Sequence, residues 1–321
     1  SQKMNIFEKK NRKMFKKSIS FAKEKKIGEL IKAEDLKFTK NKKNFSPIFS
    51  HDVVGKKVVK RIDKNESINL NKLNNRVGAI IVARMSSSRY SKKAIKKING
   101  EYSLSLVIRR IKKIKGLDEI ILATSTDKSD NFLKEIAKKE NIKFFRGSLN
   151  KVANRYYLTA KKFKLDHFIR VTGDAILCDE VMLEKALKSH ISKKADVTFI
   201  KNMPYGTAKE IISYNTIKTV NDTAKEINNT EYLEWFLENQ RSFKINYIRS
   251  NYHFNKTIRL TLDYKEDLKL FDIIFRHFNN KCNFTLEDVL KFLKKKPKYI
   301  KINNFLIPKF KKEDINTELK I

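Results

Sequence analysis

The sequence predicts an α/β protein in which a small β-rich module precedes a larger domain with a mostly parallel sheet. Two observations support this prediction. From Val77 onward, short apolar runs alternate with amphipathic helical segments in the order β-α-β-α-β-α-β, which favours parallel strands joined by right-handed crossovers. Upstream of Val77, short β-type runs follow one another without a long helix between them, which is typical of a compact β module.

Composition and rhythm divide the chain of 321 residues into four parts. They are residues 1–17, a polar and basic linker or tail; 18–74, the β-rich module; 75–310, the large α/β domain; and 311–321, a C-terminal tail. The β-type runs of the module are Ser18–Ala22, Asp35–Phe38, Lys57–Arg61 and Ser67–Leu70.

The large domain begins with Val77–Arg84, a continuous apolar run of the kind found in strands that are covered on both faces. Further strands are expected at Glu119–Ala123, Ile142–Phe145, His167–Val171, Val197–Ile200, Glu210–Ser213, Ile245–Arg249 and Ile258–Leu262. Helices are expected near Ser103–Lys115, Asn131–Glu140, Val152–Lys164, Asp179–Ser192, Glu231–Asn239, Lys265–Phe278 and Thr285–Lys295.

The net charge of +36 has two possible meanings. A positive field attracts nucleic acid or phosphate-rich small molecules, whereas lysines can also simply fill the solvent-exposed faces of helices. Lysines outnumber arginines and are spread along the whole chain, which favours the second meaning and argues against nucleic-acid binding as the main function. A basic chain would still help to recruit small anions.

Membrane and redox signals are weak. No apolar run approaches the length of about 18 residues that spans a bilayer, so no membrane partner is expected. The two cysteines, Cys178 and Cys282, are far apart and lack metal-ligand spacing. They suit a reducing compartment, and we expect a cytoplasmic protein.

Residues with suitable chemistry follow several predicted strands, at the edge of the sheet where α/β proteins gather their ligands. The loop Ala83–Lys93 is rich in serine, arginine and lysine, which suits phosphate oxygens, although it lacks the ending of a Walker A loop. Thr124–Thr126 offers hydroxyl groups. Asp174 and Asp263 are carboxylates of the kind that hold Mg²⁺ beside phosphates. Taken singly, each feature also fits a solvated loop or a helix cap.

Six motifs occur in a fixed order along the large domain: IIVARMSSSR (80–89), EIILATST (119–126), FRGS (145–148), RVTGD (170–174), LTLDYKEDL (260–268) and FTLEDVL (284–290). From Val77 to about Asn303 the chain therefore resembles the spore coat polysaccharide biosynthesis cytidylyltransferase family, which is related to CMP-sialic acid and CMP-Kdo synthetases. The resemblance implies a Rossmann-like nucleotidyltransferase domain that uses CTP and Mg²⁺.

The resemblance also implies roles for residues at matching positions. The catalytic set would be Arg89, Lys93 and Asp174, and the metal ligands would be Asp174 and Asp263. Nucleotide contacts would come from Ala83, Arg84, Ser87, Thr124, Thr126, Arg170 and Gly173. Substrate contacts would come from Arg146, Asp179, Glu210 and Glu231. Departures from the family pattern at Lys151, Asn154, Ile176 and Tyr232 cluster where the sugar would lie.

The reaction implied is the transfer of CMP from CTP to an acidic nine-carbon sugar of the sialic acid (nonulosonic) type, with release of pyrophosphate. Two alternatives stay open: a non-catalytic scaffold that assists a sialic acid-type synthase, and a nucleotide-sugar glycosyltransferase, which shares a similar sheet. Relatives often dimerise, so a homodimer is expected.

The front module has its own resemblance. The segments KSISFAKEKKIGELIKAEDL (17–36), SPIFSHDVVGKK (46–57) and RIDKNESI (61–68) are similar to the SAF, or antifreeze-like, β-clip domain that ends sialic acid synthases. In those synthases the domain contributes an arginine to a partner's active site, and Lys40 stands at that position here. The resemblance implies that the module belongs to a synthase–cytidylyltransferase fusion, assists a separate synthase, or simply mediates assembly.

Overall fold

The computed structural model describes residues 18–39, 53–69, 72–87, 89–223, 233–238, 242–279 and 283–307. The chain divides into two compact units, with the boundary between Arg76 and Val77. The predicted tails at 1–17 and 311–321, together with Lys40, lie outside the described residues. Within the described residues, no helix is both long enough and apolar enough to cross a bilayer.

In the front unit, strands β1 (Ser18–Phe21) and β2 (Leu36–Thr39) pair antiparallel. The runs predicted as strands at Lys57–Arg61 and Ser67–Leu70 contribute isolated bridges instead, among them Leu30 to Lys57 and Ser20 to Ser67. These elements enclose a small apolar core made by Phe21, Ile31, Val53, Val58, Ile62 and Leu73.

The large unit contains all the longer elements. Its strands are β3 (Val77–Val82), β4 (Lys97–Ile98), β5 (Glu101–Tyr102), β6 (Glu119–Ser125), β7 (Lys143–Gly147), β8 (His167–Thr172), β9 (Val197–Lys201), β10 (Glu210–Ser213) and β11 (Ile245–Arg249). Its α-helices are α1 (Ser103–Ile111), α2 (Asn131–Lys139), α3 (Val152–Lys162), α4 (Glu180–Ser192), α5 (Tyr214–Thr223), α6 (Leu233–Glu238), α7 (Lys265–His277) and α8 (Leu286–Lys295).

Seven of these strands form one sheet in the order β11-β9-β10-β8-β3-β6-β7. Pairing is parallel between β8, β3, β6 and β7 and between β9 and β11, whereas β10 runs antiparallel to both β8 and β9. The prediction of a mostly parallel sheet is therefore confirmed. Strand β3 is an inner strand of the sheet, and its residues supply buried apolar side chains to the cores on both faces, Ile81 to one and Ile80 to the other.

In the large unit, one predicted strand was wrong and one helix was missed. The run Ile258–Leu262 is not a strand: Leu260 and Leu262 donate backbone hydrogen bonds to the carbonyls of Tyr205 (2.8 Å) and Asp174 (3.2 Å), in loops, rather than to a neighbouring strand. Helix α5 was missed because its sequence, YNTIKTVNDT, is rich in residues of low helix propensity. Its buried residues Thr216, Ile217 and Val220 show helical spacing, so packing stabilises it.

Candidate active site at the carboxyl edge of the sheet

The candidate site lies where the order of the strands reverses. The chain leaves β3 to form β6 on one side, while β8 lies against the other side of β3. The carboxyl ends of β3 and β8 therefore lie at the switch point of the sheet, the position at which open α/β sheets bind their ligands. The loop after β3 (residues 83–93) and the turn after β8 (Gly173 and Asp174) meet there.

Gly173 lets these two segments approach closely. Its N–H donates to the carbonyl of Val82 at 2.9 Å. A Cβ at position 173 would lie 2.9 Å from the Cβ of Ala83 and 3.3 Å from the carbonyl oxygen of Val82, closer than side-chain carbons normally come. The close approach of residue 173 to Val82 and Ala83 therefore requires glycine at position 173.

Asp130, which the sequence did not single out, anchors the start of the loop after β3 through hydrogen bonds. Asp130 is buried, and its carboxylate accepts hydrogen bonds from the backbone N–H groups of Met85 (2.7 Å) and Ser125 (3.1 Å). The hydroxyl of Thr124 lies 2.8 Å from the carbonyl oxygen of Ala83 and 2.7 Å from Asp130 Oδ2. Thr124, predicted to contact the nucleotide, is fully buried, and its hydroxyl supports the loop after β3.

Asp174 and Asp263 converge on one cation, although 89 positions separate them in the sequence. The ammonium of Lys93 donates to Asp174 Oδ2 at 2.5 Å and to Asp263 Oδ1 at 2.8 Å. Arg89 Nη2 lies 3.1 Å from the same Asp263 oxygen. Four of the predicted catalytic and metal-binding side chains therefore form a single cluster, which we call the carboxylate–lysine cluster.

A second layer fixes Asp263. Its other oxygen accepts a hydrogen bond from Arg259 Nη2 at 3.0 Å, and its backbone N–H donates to Asp267 Oδ2 at 2.8 Å. Arg259 Nε also donates to Asp267 Oδ1 at 2.9 Å, and all three residues are buried. Because the Arg259 guanidinium bonds Asp267 through Nε and Asp263 through Nη2, Asp263 is held in one orientation before any ligand arrives.

The charges in the cluster stabilise one another. Burial alone would raise the pKa of the Asp174 carboxyl, but the nearby charges of Lys93 and then Lys209 outweigh burial and lower it well below its usual range. Burial likewise opposes the charged form of Lys93, but Asp174 and Asp263 raise the pKa of its ammonium. At neutral pH Asp174 is ionised, which makes it a good cation ligand and a poor acceptor of protons.

Two predicted contact residues pair with each other instead. Arg170 Nε donates to Glu210 Oε2 at 2.7 Å across strands β8 and β10, and Arg170 Nη2 donates to Glu234 Oε2 at 2.6 Å. Arg170 and Glu210 are both buried. The structure therefore places Arg170 and Glu210, predicted to contact the nucleotide and the substrate, in a largely buried ion-pair network. This network includes Glu234, a residue not singled out from the sequence.

Asp179 is also occupied. It caps the amino end of α4 by accepting from the N–H groups of Val181 (3.0 Å) and Met182 (3.2 Å), and the hydroxyl of Tyr252 donates to its second oxygen at 2.6 Å. Burial, the largest influence, raises its pKa. The structure therefore places Asp179, predicted to contact the substrate, as a helix cap with a tyrosine partner.

The remaining predicted residues have varied surroundings. Arg84 and Ser87 are half-buried in the loop after β3, and Thr126 is exposed, with its N–H donating to the carbonyl of Gly147 at 3.1 Å. Arg146 Nη2 donates to Asn131 Oδ1 at 2.6 Å, at the start of α2. Glu231 lies outside the described residues.

The donor set bears on metal binding. In the part of the chain that the structure describes, no group of three or more histidine, cysteine, aspartate or glutamate side chains is arranged to hold a metal ion. The two carboxylates of the carboxylate–lysine cluster nevertheless converge on one cation, the Lys93 ammonium. This pair fits Mg²⁺, which typically takes one or two protein carboxylates and completes its shell with water and substrate phosphates.

The switch point of a mostly parallel sheet, where Arg89 and Lys93 meet the carboxylates of Asp174 and Asp263, is a place where α/β proteins bind ligands such as nucleotides. Comparison with known families specifies the class: the chain belongs to the cytidylyltransferase family, whose model matches residues 78–303. The resemblance seen in the sequence motifs is thereby confirmed at the level of the family.

Similar proteins are known from both archaea and bacteria. Protein MJ1063 of Methanocaldococcus jannaschii is 31% identical over 227 residues, covering 70% of this chain and 93% of that protein. The spore coat polysaccharide biosynthesis protein SpsF of Bacillus subtilis (strain 168) is 24% identical over 225 residues, covering 68% of this chain and 94% of SpsF.

Two solved structures share the architecture of the large unit. A cytidylyltransferase from Leptospira borgpetersenii serovar Hardjo-bovis superposes with a TM-score of 0.65 at 25% identity, covering 71% of this chain and 97% of that one. A CMP:2-keto-3-deoxy-manno-octonic acid synthetase complexed with CTP has a TM-score of 0.52 at 13% identity, covering 64% of this chain and all (100%) of that one. The second likeness is one of fold.

Proposed function

We propose that this protein transfers CMP from CTP to an acidic nine-carbon, sialic acid-like sugar, and so acts as a CMP-sugar synthetase. The observation that carries the proposal is the carboxylate–lysine cluster, in which Asp174 and Asp263 face one cation position beside the loop 83–93. Membership of the cytidylyltransferase family supports CTP as the donor. The name of SpsF, which places that relative in polysaccharide biosynthesis, supports a sugar as the acceptor.

In the proposed reaction, a hydroxyl oxygen of the sugar attacks the α-phosphorus of CTP. The bond from that phosphorus to the bridging oxygen breaks, pyrophosphate leaves, and the hydroxyl proton is lost to water. The protein's part in this reaction is to position the reactants and to stabilise charge. Arg89 and Lys93 can turn from the carboxylates to the phosphates, where they would offset the charge that develops on pyrophosphate.

The cofactor proposed is Mg²⁺, held by Asp174 and Asp263. When bound, it would supply a Lewis acid that neutralises phosphate charge. Because Asp174 stays ionised at neutral pH, its carboxylate is suited to be a ligand rather than a base. Arg259 and Asp267 would keep Asp263 oriented toward the same position.

The assay is pyrophosphate release from CTP and Mg²⁺ with a panel of acids: N-acetylneuraminate, legionaminate, pseudaminate and Kdo. We expect release that depends on one of the nine-carbon acids, and at least about 100-fold slower turnover for Asp174→Asn, the scale of a lost electrostatic contact. Asp222→Asn is the matched control, because Asp222 is a half-exposed carboxylate that pairs with Lys218 at 2.7 Å on helix α5. This control should keep wild-type activity.

Other outcomes point to the alternatives. Turnover of a UDP-sugar without pyrophosphate from CTP would favour a glycosyltransferase. Binding of CTP without turnover of any acceptor would favour a non-catalytic scaffold. Wild-type turnover by a folded Asp174→Asn variant would remove Asp174 from the mechanism.

The front unit is proposed to be an SAF-like module that engages a sialic acid-type synthase, and the whole chain to be a cytoplasmic homodimer. The antiparallel strands β1 and β2 and the small apolar core within residues 18–39, 53–69 and 72–73 support a compact module of this kind. Sedimentation of the full chain, alone and mixed with such a synthase, tests both assemblies. A monomer that ignores the synthase would contradict them.

A further inference from the structure

Lys209 is a buried lysine whose ammonium has no hydrogen-bond or ion-pair partner among the described residues. Lys209 is only 7% exposed to solvent. The described lysine of similar burial, Lys25, contrasts with it, because Asp35 and Glu29 lie 3.0 and 3.6 Å from its ammonium. Burying an unpaired charge costs free energy, so Lys209 marks a place where an anion from outside would be stabilising.

The position of Lys209 follows from the direction of β10. Because β10 runs antiparallel to β8, the start of β10 lies at the same edge as the end of β8. Glu210 is opposite Arg170, so Lys209 is level with Val171 and close to the turn that carries Asp174. Burial has the largest influence on the pKa of the Asp174 carboxyl and raises it. The charge of Lys93, followed by the charge of Lys209, lowers the same pKa.

The ammonium of Lys209 is not completely sealed from solvent. Five side-chain atoms in the described part of the chain are sealed from solvent without a hydrogen-bond partner, and Lys209 Nζ is not one of them. A buried stem with an accessible ammonium is the arrangement of a lysine that reaches into a cleft. This partly accessible ammonium is therefore the place where an anion from solvent would meet Lys209.

The order of the strands separates Lys209 from the cations that face the triphosphate. The loop with Arg89 and Lys93 follows β3, on one side of β8, whereas Lys209 begins β10, on the other side of β8. Asp174, at the end of β8, lies between them. We infer that Lys209 binds the carboxylate of the acceptor sugar and so selects an acidic acceptor; this inference rests on the proposed function.

The test compares Lys209→Met with wild type in the pyrophosphate assay, using the acid that serves wild type best. Methionine keeps the length of the side chain and removes its charge. We expect the KM for the acceptor to rise about 10- to 100-fold, the scale of a lost charge-assisted hydrogen bond, with kcat and the KM for CTP nearly unchanged. Lys209→Arg should recover part of the loss. Lys218→Met, at a half-exposed lysine on α5, is the control.

The methyl ester of the same sugar supplies a second arm. Wild type should use the ester with a raised KM, and Lys209→Met should add no further penalty, because the charge that Lys209 would bind is already absent. A rise in the KM for CTP instead of the acceptor would assign Lys209 to a phosphate and overturn the inference. An equal penalty on acid and ester would overturn it as well.

Thermal unfolding separates this role from a structural one. Because the Lys209 ammonium has no described partner, Lys209→Met should leave the Tm unchanged or raise it. A clear fall in Tm would show that Lys209 stabilises the fold, and would contradict the inference. Failure of the proposed function looks different: wild type then releases no pyrophosphate with any acid, and the role of Lys209 falls with it.

Discussion

Replacing Gly173 with alanine tests how the two segments of the candidate site are brought together. The added Cβ would lie 2.9 Å from Ala83 Cβ and 3.3 Å from the carbonyl oxygen of Val82. Neither neighbour is the end of a flexible side chain, so the backbone must shift and the hydrogen bond from Gly173 N–H to Val82, now 2.9 Å, must lengthen. Overpacking of this kind typically costs about 1–3 kcal/mol.

Urea denaturation measures this cost directly, and CTP binding by calorimetry measures its effect on the site. We expect Gly173→Ala to lose about 1–3 kcal/mol of unfolding free energy and to bind CTP more weakly. Adding Ala83→Gly removes the closer of the two clashes and should restore part of both losses, whereas Ala83→Gly alone supplies the baseline. Full stability and CTP affinity in Gly173→Ala, or no recovery in the double variant, would refute the close-contact reasoning.

Three further predictions concern single residues. Without nucleotide, the Lys93→Met variant should bind Mn²⁺ more tightly than wild type, because the ammonium that competes for Asp174 is gone. The same variant should turn over more slowly. Equal Mn²⁺ affinity of variant and wild type in a calorimetric titration would contradict this prediction. Asp130→Asn should lower unfolding free energy by about 1.5–3 kcal/mol, since its carboxylate holds two backbone N–H groups, and unchanged denaturation curves would argue against that support. Burial lowers the pKa of His190 to about 3. The free energy of unfolding should therefore fall by up to about 1.4 kcal/mol per pH unit below pH 6.5. The His190→Gln variant should show a flatter profile of unfolding free energy against pH.

The sign of the His190 effect follows from which state binds the proton. In the unfolded chain the imidazole is protonated below its ordinary pKa of about 6.5, whereas the folded protein keeps it neutral down to about 3. Its hydrogen bonds to Thr198 (2.8 Å) and His167 (3.0 Å) keep it inside the protein. Stability is therefore present in full above pH 6.5 and is lost as the pH falls toward 3. A stability that rises on acidification would contradict this assignment.

The sequence predicted most of the sheet because continuous apolar runs mark strands that are buried on both faces. Strands such as Glu210–Ser213 and Ile245–Arg249 have the predicted bounds. The run Ile258–Leu262 misled because a buried segment with loop partners has the same apolar pattern as a strand. Its backbone bonds to Tyr205 and Asp174 depend on tertiary contacts that no local pattern contains.

In the candidate site as well, the sequence predicted residues that lie in motifs and did not predict contacts that depend on the tertiary structure. The motifs identified Asp174, Asp263 and Lys93, which the structure brings together. They did not show that Arg170 and Glu210 pair with each other, because that contact depends on the register between β8 and β10. Asp130 and Lys209 carried no motif at all. A search for acidic residues within five positions of the end of a strand could have found Asp130, which follows β6 (Glu119–Ser125). No local signal shows that Lys209 lies beside Asp174.

Mn²⁺ binding in the presence of CTP, followed by electron paramagnetic resonance, tests the central claim most directly. The claim is that Asp174 and Asp263 together hold a divalent cation against the nucleotide. Asp174→Asn and Asp263→Asn should each weaken the binding of Mn²⁺ with CTP at least about tenfold, which corresponds to about 1.4 kcal/mol, while Asp222→Asn should bind as wild type does. Wild-type Mn²⁺ binding by folded Asp174→Asn and Asp263→Asn variants would contradict the claim.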